Sequence, residues 1–228
     1  MKLHTACAAL VAALTASVAA SAATAQDLNI AGNFGLTTDY VFRGVSQSGE
    51  DPAPFAGVDA TYGSFYAGAW GSSVDFGDGT DIEVDLYGGY RTEAAGYALD
   101  FGVVGYLYNG APGGVDYDYV EFKAAASRAV GPATLGAAVF YSPDFFGADD
   151  AATYVEANAA YAIADGWTAS GAVGHQFLDV SDDYTTWNVG VAYALTENAT
   201  LDARYHDTDL DGLGIAEERI VFTVKASF

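Results

Sequence analysis

The last twelve residues, Glu217-Glu218-Arg219-Ile220-Val221-Phe222-Thr223-Val224-Lys225-Ala226-Ser227-Phe228, decide the fold. Ile220, Phe222, Val224, Ala226 and Phe228 are apolar, and Arg219, Thr223, Lys225 and Ser227 alternate with them. Strand side chains change face at every residue, so this is a strand with one face in an apolar medium and the other in a polar one. A soluble sheet does this once or twice. Here the pattern runs the length of the chain.

Working back from the terminus, twelve alternating segments are predicted at about 28–44, 55–62, 64–74, 81–92, 96–108, 118–128, 133–142, 152–163, 167–178, 184–195, 199–206 and 218–228. Every second connection is short: Gly63-Ser64, Thr92 to Ala95, Val130 to Pro132, Ala164 to Gly166 and Thr196 to Asn198. The others are mostly longer and polar, as at Ser46 to Pro54, Asn109 to Tyr117, Pro143 to Ala151 and Asp207 to Glu217. Bacterial outer-membrane barrels have short periplasmic turns, longer outside loops and an even strand number. The expectation is an all-β, antiparallel up-and-down transmembrane barrel of about twelve strands.

Charge placement agrees. Ile82, Val84, Leu86 and Tyr90 oppose Glu83, Asp85 and Arg91, and Val120, Phe122 and Ala124 oppose Glu121 and Lys123. Val155, Ala157 and Tyr161 oppose Glu156 and Asn158, and Leu201, Ala203 and Tyr205 oppose Asp202, Arg204 and His206. In the first segment Leu28, Ile30, Phe34, Leu36, Tyr40 and Phe42 share the apolar face, with Asp39 and Arg43 on the other. An Arg or Lys facing lipid at mid-bilayer costs about 2–4 kcal/mol, so a membrane enforces this sorting. A periplasmic sandwich or lipocalin-like barrel needs the polar face outside. That alternative leaves the 16 tyrosines and 13 phenylalanines, suited to interfacial girdles, without a role.

The N-terminal part carries Lys2, an Ala/Val/Leu-rich run and the small-residue site Ala23-Thr24-Ala25, which reads as a cleavable secretory signal over 1–25. Residues 26–228 then form one barrel domain in the outer membrane of a Gram-negative cell. The single cysteine, Cys7, falls in the signal, so no disulfide framework is available. The net charge of −22 argues against nucleic acid as a partner.

The polar face supplies the candidate pore lining: Asp39, Arg43, Glu83, Asp85, Arg91, Asp100, Glu121, Lys123, Glu156, Asp202, Arg204, Arg219 and Lys225. Both signs in one lumen suit a charge ladder across a narrow wet passage, or an ion-pair network that plugs it. Eight strands are filled by their own side chains and 16–18 leave a channel, so twelve leaves both open. The loops assigned outside are acidic, as at Asp75, Asp78, Asp116, Asp118, Asp144, Asp149 and Asp150, and such a mouth concentrates cations. Solvated loops that bind divalent ions beside lipopolysaccharide are the bland reading.

Asp207, Asp209, Asp211 and Glu218 match the D-x-D-x-D-G-x5-E calcium-loop spacing, with Gly212 at the turn. Strands flank it rather than helices, so a surface Ca²⁺ site and a merely acidic hairpin loop are the two readings. No other cofactor and no enzyme chemistry is expected. His206 has no serine at a nucleophile spacing, and His175 falls on the lipid face.

Asn33 to Ser48, with its Thr37-Thr38-Asp39-Tyr40-Val41-Phe42-Arg43-Gly44 core, resembles the TorF family of porin-like proteins, conserved bacterial outer-membrane proteins of the Gcw_chp type. Gly63 to Trp70, Asp85 to Arg91 and the strand ending in Phe228 extend the resemblance over the chain after the signal. It implies a porin-like barrel passing small hydrophilic solutes, in contact with outer-membrane lipid and lipopolysaccharide. It names no solute and no oligomeric state. The terminal Phe resembles the signal read by the barrel-assembly machinery. Asp39 and Arg43 fall in the most characteristic block and stand as the constriction or structural pair. The reading from another class is a closed structural or adhesive barrel working through its acidic loops.

Overall fold

The computed structural model describes residues 27–228. The secretory signal expected over 1–25 lies outside the described residues. Twelve antiparallel strands close into one barrel: β1 (Leu28–Thr37), β4 (Ala53–Tyr62), β5 (Phe65–Ser73), β6 (Ile82–Ala94), β7 (Tyr97–Asn109), β8 (Tyr119–Val130), β9 (Ala133–Ser142), β10 (Ala152–Ala164), β11 (Trp167–Leu178), β12 (Tyr184–Ala194), β13 (Ala199–Thr208) and β14 (Arg219–Ser227). Two further strands, β2 (Val41–Phe42) and β3 (Val45–Ser46), form a separate small hairpin.

Each barrel strand pairs with its neighbours in sequence, and β1 closes the wall against β14 with Phe34 opposite Ala226 and Leu36 opposite Val224. The seam is finished by Phe228, whose N–H and carbonyl exchange hydrogen bonds of 3.0 and 2.9 Å with Gly32. Closure leaves no unpaired strand edge, the condition for β-structure in lipid. The short turns gather at one end, where Gly63, Ala95, Gly96, Gly131 and Gly166 take the positive φ that tight hairpins require. The long loops gather at the other.

Alternation does the rest. Leu86, Val103, Phe122, Val189 and Phe222 point outward and stay exposed, Val189 by 59% and Phe122 by 55%. Glu83, Asp85, Asp100, Glu121, Lys123 and Arg204 point inward and are buried. A periplasmic barrel with an apolar interior has the opposite arrangement.

The first segment differs from expectation. β1 stops at Thr37, not at residue 44, and Tyr40 and Phe42 are not on the lipid face. Residues 38–52 leave the wall and fold into the lumen, carrying β2 and β3. The alternation of Asp39 to Arg43 continues that of β1 by coincidence of period, because a hairpin strand has the same period as a wall strand.

An arginine at the centre of the outward band tests the face assignment. Val189→Arg should lower unfolding stability by about 2–4 kcal/mol in lipid vesicles. The measurement is a reversible denaturant titration, and an unchanged midpoint would contradict an outward, lipid-facing Val189.

Candidate functional site

The inward segment is built to be rigid. At its tip Arg43 (φ 47°) and Gly44 (φ 85°) both take left-handed backbone, the two-residue turn favoured between twisted strands. Val41 pairs with Ser46 and Phe42 with Val45, and the Gln47 amide donates to the Tyr40 carbonyl at 2.6 Å. At the base, the Asp39 carboxylate accepts the Ser46 and Ser48 hydroxyls at 2.6 and 3.0 Å and the Arg219 guanidinium at 2.8 Å. The segment is thus tied to itself and to β14 by one aspartate.

Its tip crosses to the far wall. Arg43 makes a two-pronged contact with Glu121 on β8, at 2.8 and 2.7 Å, and donates to the Gln176 side-chain oxygen on β11 at 3.0 Å. The side chains of Arg43 and Glu121 are only 6% and 1% exposed. The guanidinium lies 4.3 Å from the Tyr154 ring centre and 5.1 Å from that of Phe140. Tyr106 donates to the same Glu121 at 3.1 Å and stacks on Tyr119 at 4.4 Å. On the near side the Tyr40 hydroxyl donates to Glu83 on β6 at 2.6 Å. Gly44 sits so close to β12 that an added Cβ would meet the Thr186 hydroxyl at 2.5 Å. The hairpin therefore touches walls on opposite sides of the barrel and reaches across the loop-end half of the lumen.

The turn-end half is more open. There Asp100 gathers Tyr66 at 2.7 Å, Lys123 at 2.9 Å and Arg91 at 3.4 Å, with Arg91 lying 4.0 Å over the Tyr66 ring. Tyr87 donates to Asp59 at 2.7 Å. Across the lumen Arg204 binds Asp202, Asn188 and Ser170 at 3.0, 2.7 and 2.9 Å. Asn158 donates to Glu156 at 2.9 Å. Asp59, Arg91, Glu156, Asp202 and Lys225 are only half-buried, which makes a polar vestibule of both signs.

All thirteen sequence-predicted lumen residues thus face the interior, eleven of them from the wall. Asp39 and Arg43 arrive there on the inward segment instead. They are not a pair with each other: Asp39 goes to Arg219 and Arg43 to Glu121. Sequence reasoning missed Tyr40, Tyr106, Tyr154 and Gln176, which complete the grip on the hairpin. The signal for the last three was present, since each falls on the even-numbered inward parity of its strand.

At the rim, Phe76, Tyr108, Tyr117 and Phe146 form an aromatic cluster linking three loops, with Tyr117 and Phe146 stacked at 4.7 Å. The Asp78 carboxyl is held below its ordinary range by the Thr80 amide and then by the Tyr117 hydroxyl, which donates at 2.8 Å. The calcium-loop carboxylates are engaged separately: Asp207 accepts Tyr205 at 2.8 Å, and Asp209 accepts the Thr185 amide at 2.6 Å. Among the described residues, no three His, Cys, Asp or Glu side chains converge as a metal-ligand set.

The sequence profile of a family described as "Bacterial protein of unknown function (Gcw_chp)" matches residues 20–228. The chain belongs to this family. No curated protein matches this Gcw_chp chain. Among solved structures it resembles the KdgM porin, with a TM-score of 0.59 and 6% identity over 87% of this chain and 98% of that one. It also resembles the COG4313 outer-membrane channel from Pseudomonas putida F1, with a TM-score of 0.52 and 14% identity over 90% and 96%. Against a porin refined at 1.8 Å it spans 62% of that chain and 77% of its own, with a TM-score of 0.44 and 18% identity. At these identities the likeness is one of fold, the closed barrel of outer-membrane proteins.

Removing one member of a buried, hydrogen-bonded pair strands the other, at a cost of about 3–5 kcal/mol. Glu121→Gln should therefore undock the hairpin. The expected readout is amide exchange of Gln47 accelerated by about a hundredfold or more, while strand amides of β10 and β11 keep their protection. Equal protection of Gln47 in both proteins would show that the pair does not hold the hairpin.

Proposed function

We propose that this Gcw_chp protein is a porin-like channel of the outer membrane, passing small hydrophilic solutes through a polar lumen narrowed by its own 38–52 segment. The observation that carries the reading is that Arg91, Lys225, Glu156 and Asp202, on the inward face of the turn-end half, are half-exposed rather than sealed in a packed core. A purely structural barrel has no need to keep paired charges wet. The TorF resemblance agrees with this reading, and the fold likeness to the KdgM porin and the COG4313 channel supports it. The acidic loops make the mouth cation-favouring, an effect that weakens as salt shortens the Debye length from about 10 Å at 0.1 M. The loop end then faces outward and meets lipopolysaccharide.

One observation favours a second reading. Around the hairpin Ala53, Ser72, Glu83, Tyr106, Glu121, Ser142, Ala152, Gln176 and Thr186 are all buried, so the loop-end half is filled on most sides. A closed barrel acting through its acidic loops, with Ca²⁺ bound by Asp207, Asp209, Asp211 and Glu218, fits that half of the molecule.

Single-channel recording in a planar bilayer separates the two. The channel reading predicts discrete openings, a reversal potential on the cation side that shrinks in high salt, and larger openings when Val41–Ser46 is replaced by a Gly-Ser linker. A folded barrel silent at every voltage, with or without the hairpin, would establish the closed reading.

A further inference from the structure

Charge bookkeeping under the hairpin does not close. Glu83, Asp85 and Glu121 all point into the region that the hairpin covers, and each is 1% exposed. Asp85 and Glu83 are neighbours on the inward face of β6, and Asp85 lies directly opposite Tyr106, the residue that bonds Glu121. Arg43 neutralises Glu121, and Glu83 receives the Tyr40 hydroxyl. Asp85 receives nothing: both carboxylate oxygens are buried with no hydrogen-bond partner. No salt bridge to it is formed among the described residues.

A buried carboxylate without donors is among the most costly groups a protein can hold, and such a group is paired, bound to a cation or neutralised by a proton. Three carboxylates do not converge as ligands among the described residues, so a divalent ion would lack its cage. A single free carboxylate, both oxygens without a protein partner, suits a weakly held monovalent ion. We propose that Asp85 anchors an occluded site for a small monovalent cation, and that this ion supplies the positive charge missing beneath the hairpin. Binding at Asp85 then favours the docked hairpin, because undocking exposes the carboxylate to water and removes the need for the ion. The site goes beyond the channel reading and stands whether or not the barrel conducts.

The test uses the complete barrel refolded in detergent and thallium(I) as a monovalent probe. Crystals soaked in thallium should show an anomalous peak within ligand distance of Asp85, lost in Asp85→Asn. In solution, Gln47 amide protection should rise when K⁺ replaces N-methylglucamine at constant ionic strength, and Asp85→Asn should abolish the difference. The variant is close in shape and removes the unpaired charge, so it should fold. No peak at Asp85 would overturn the proposal. So would a carboxylic-acid carbonyl band that disappears in Asp85→Asn and does not respond to K⁺, since a proton would then hold the place assigned to the ion.

Discussion

A closed sheet in lipid must send every mid-strand charge inward, and a twelve-stranded wall encloses more space than its own side chains fill. The rest of the molecule follows from that mismatch. The chain meets it by folding residues 38–52 back into the lumen, where polar wall residues become the partners of an inserted hairpin. The wall charges are then distributed unevenly. In the loop-end half they clamp the hairpin, and in the turn-end half Asp100, Lys123 and Arg204 are buried in hydrogen-bonded groups while Asp59, Arg91, Glu156, Asp202 and Lys225 stay half-exposed.

The clamp is directional. Asp39 organises the base through two serines and Arg219, while Arg43 at the tip needs Glu121, Gln176 and two aromatic faces from other strands. Arginine suits this position because its planar fork matches a carboxylate and still lies against rings. Its left-handed backbone is uncommon for a residue with a side chain, and it is held there by contacts on both sides. A buried pair is a poor source of net stability but a good device for fixing one arrangement against others. Here it fixes where the hairpin tip sits.

Most of the barrel was legible because period-two alternation, loop-length asymmetry and inward charge are three independent signs of the same architecture. The twelve-strand count and the inward parity of Glu83, Glu121 and Arg204 come from these alone. The inward hairpin was not legible, because Asp39-Tyr40-Val41-Phe42-Arg43 keeps the same alternation as the strand before it. Two clues were nevertheless there. A strand over 28–44 is longer than the roughly 9–11 residues that cross a bilayer, and Arg43-Gly44 between Val41-Phe42 and Val45-Ser46 can close a two-residue turn. The partners of Asp39 and Arg43 lie 180 and 78 residues away, and spacing within one block carries no trace of them.

The account depends on the hairpin lying inside the lumen, and proton–proton contacts between rings test this most directly. The Phe42 ring centre is 5.8 Å from that of Tyr106 on the barrel wall. Nuclear Overhauser spectra of the refolded, aromatically labelled barrel should therefore show cross-peaks between the two rings. A folded barrel in which Phe42 contacts only solvent and its own loop would contradict the account, because the segment would then extend outward and leave the lumen to the wall alone.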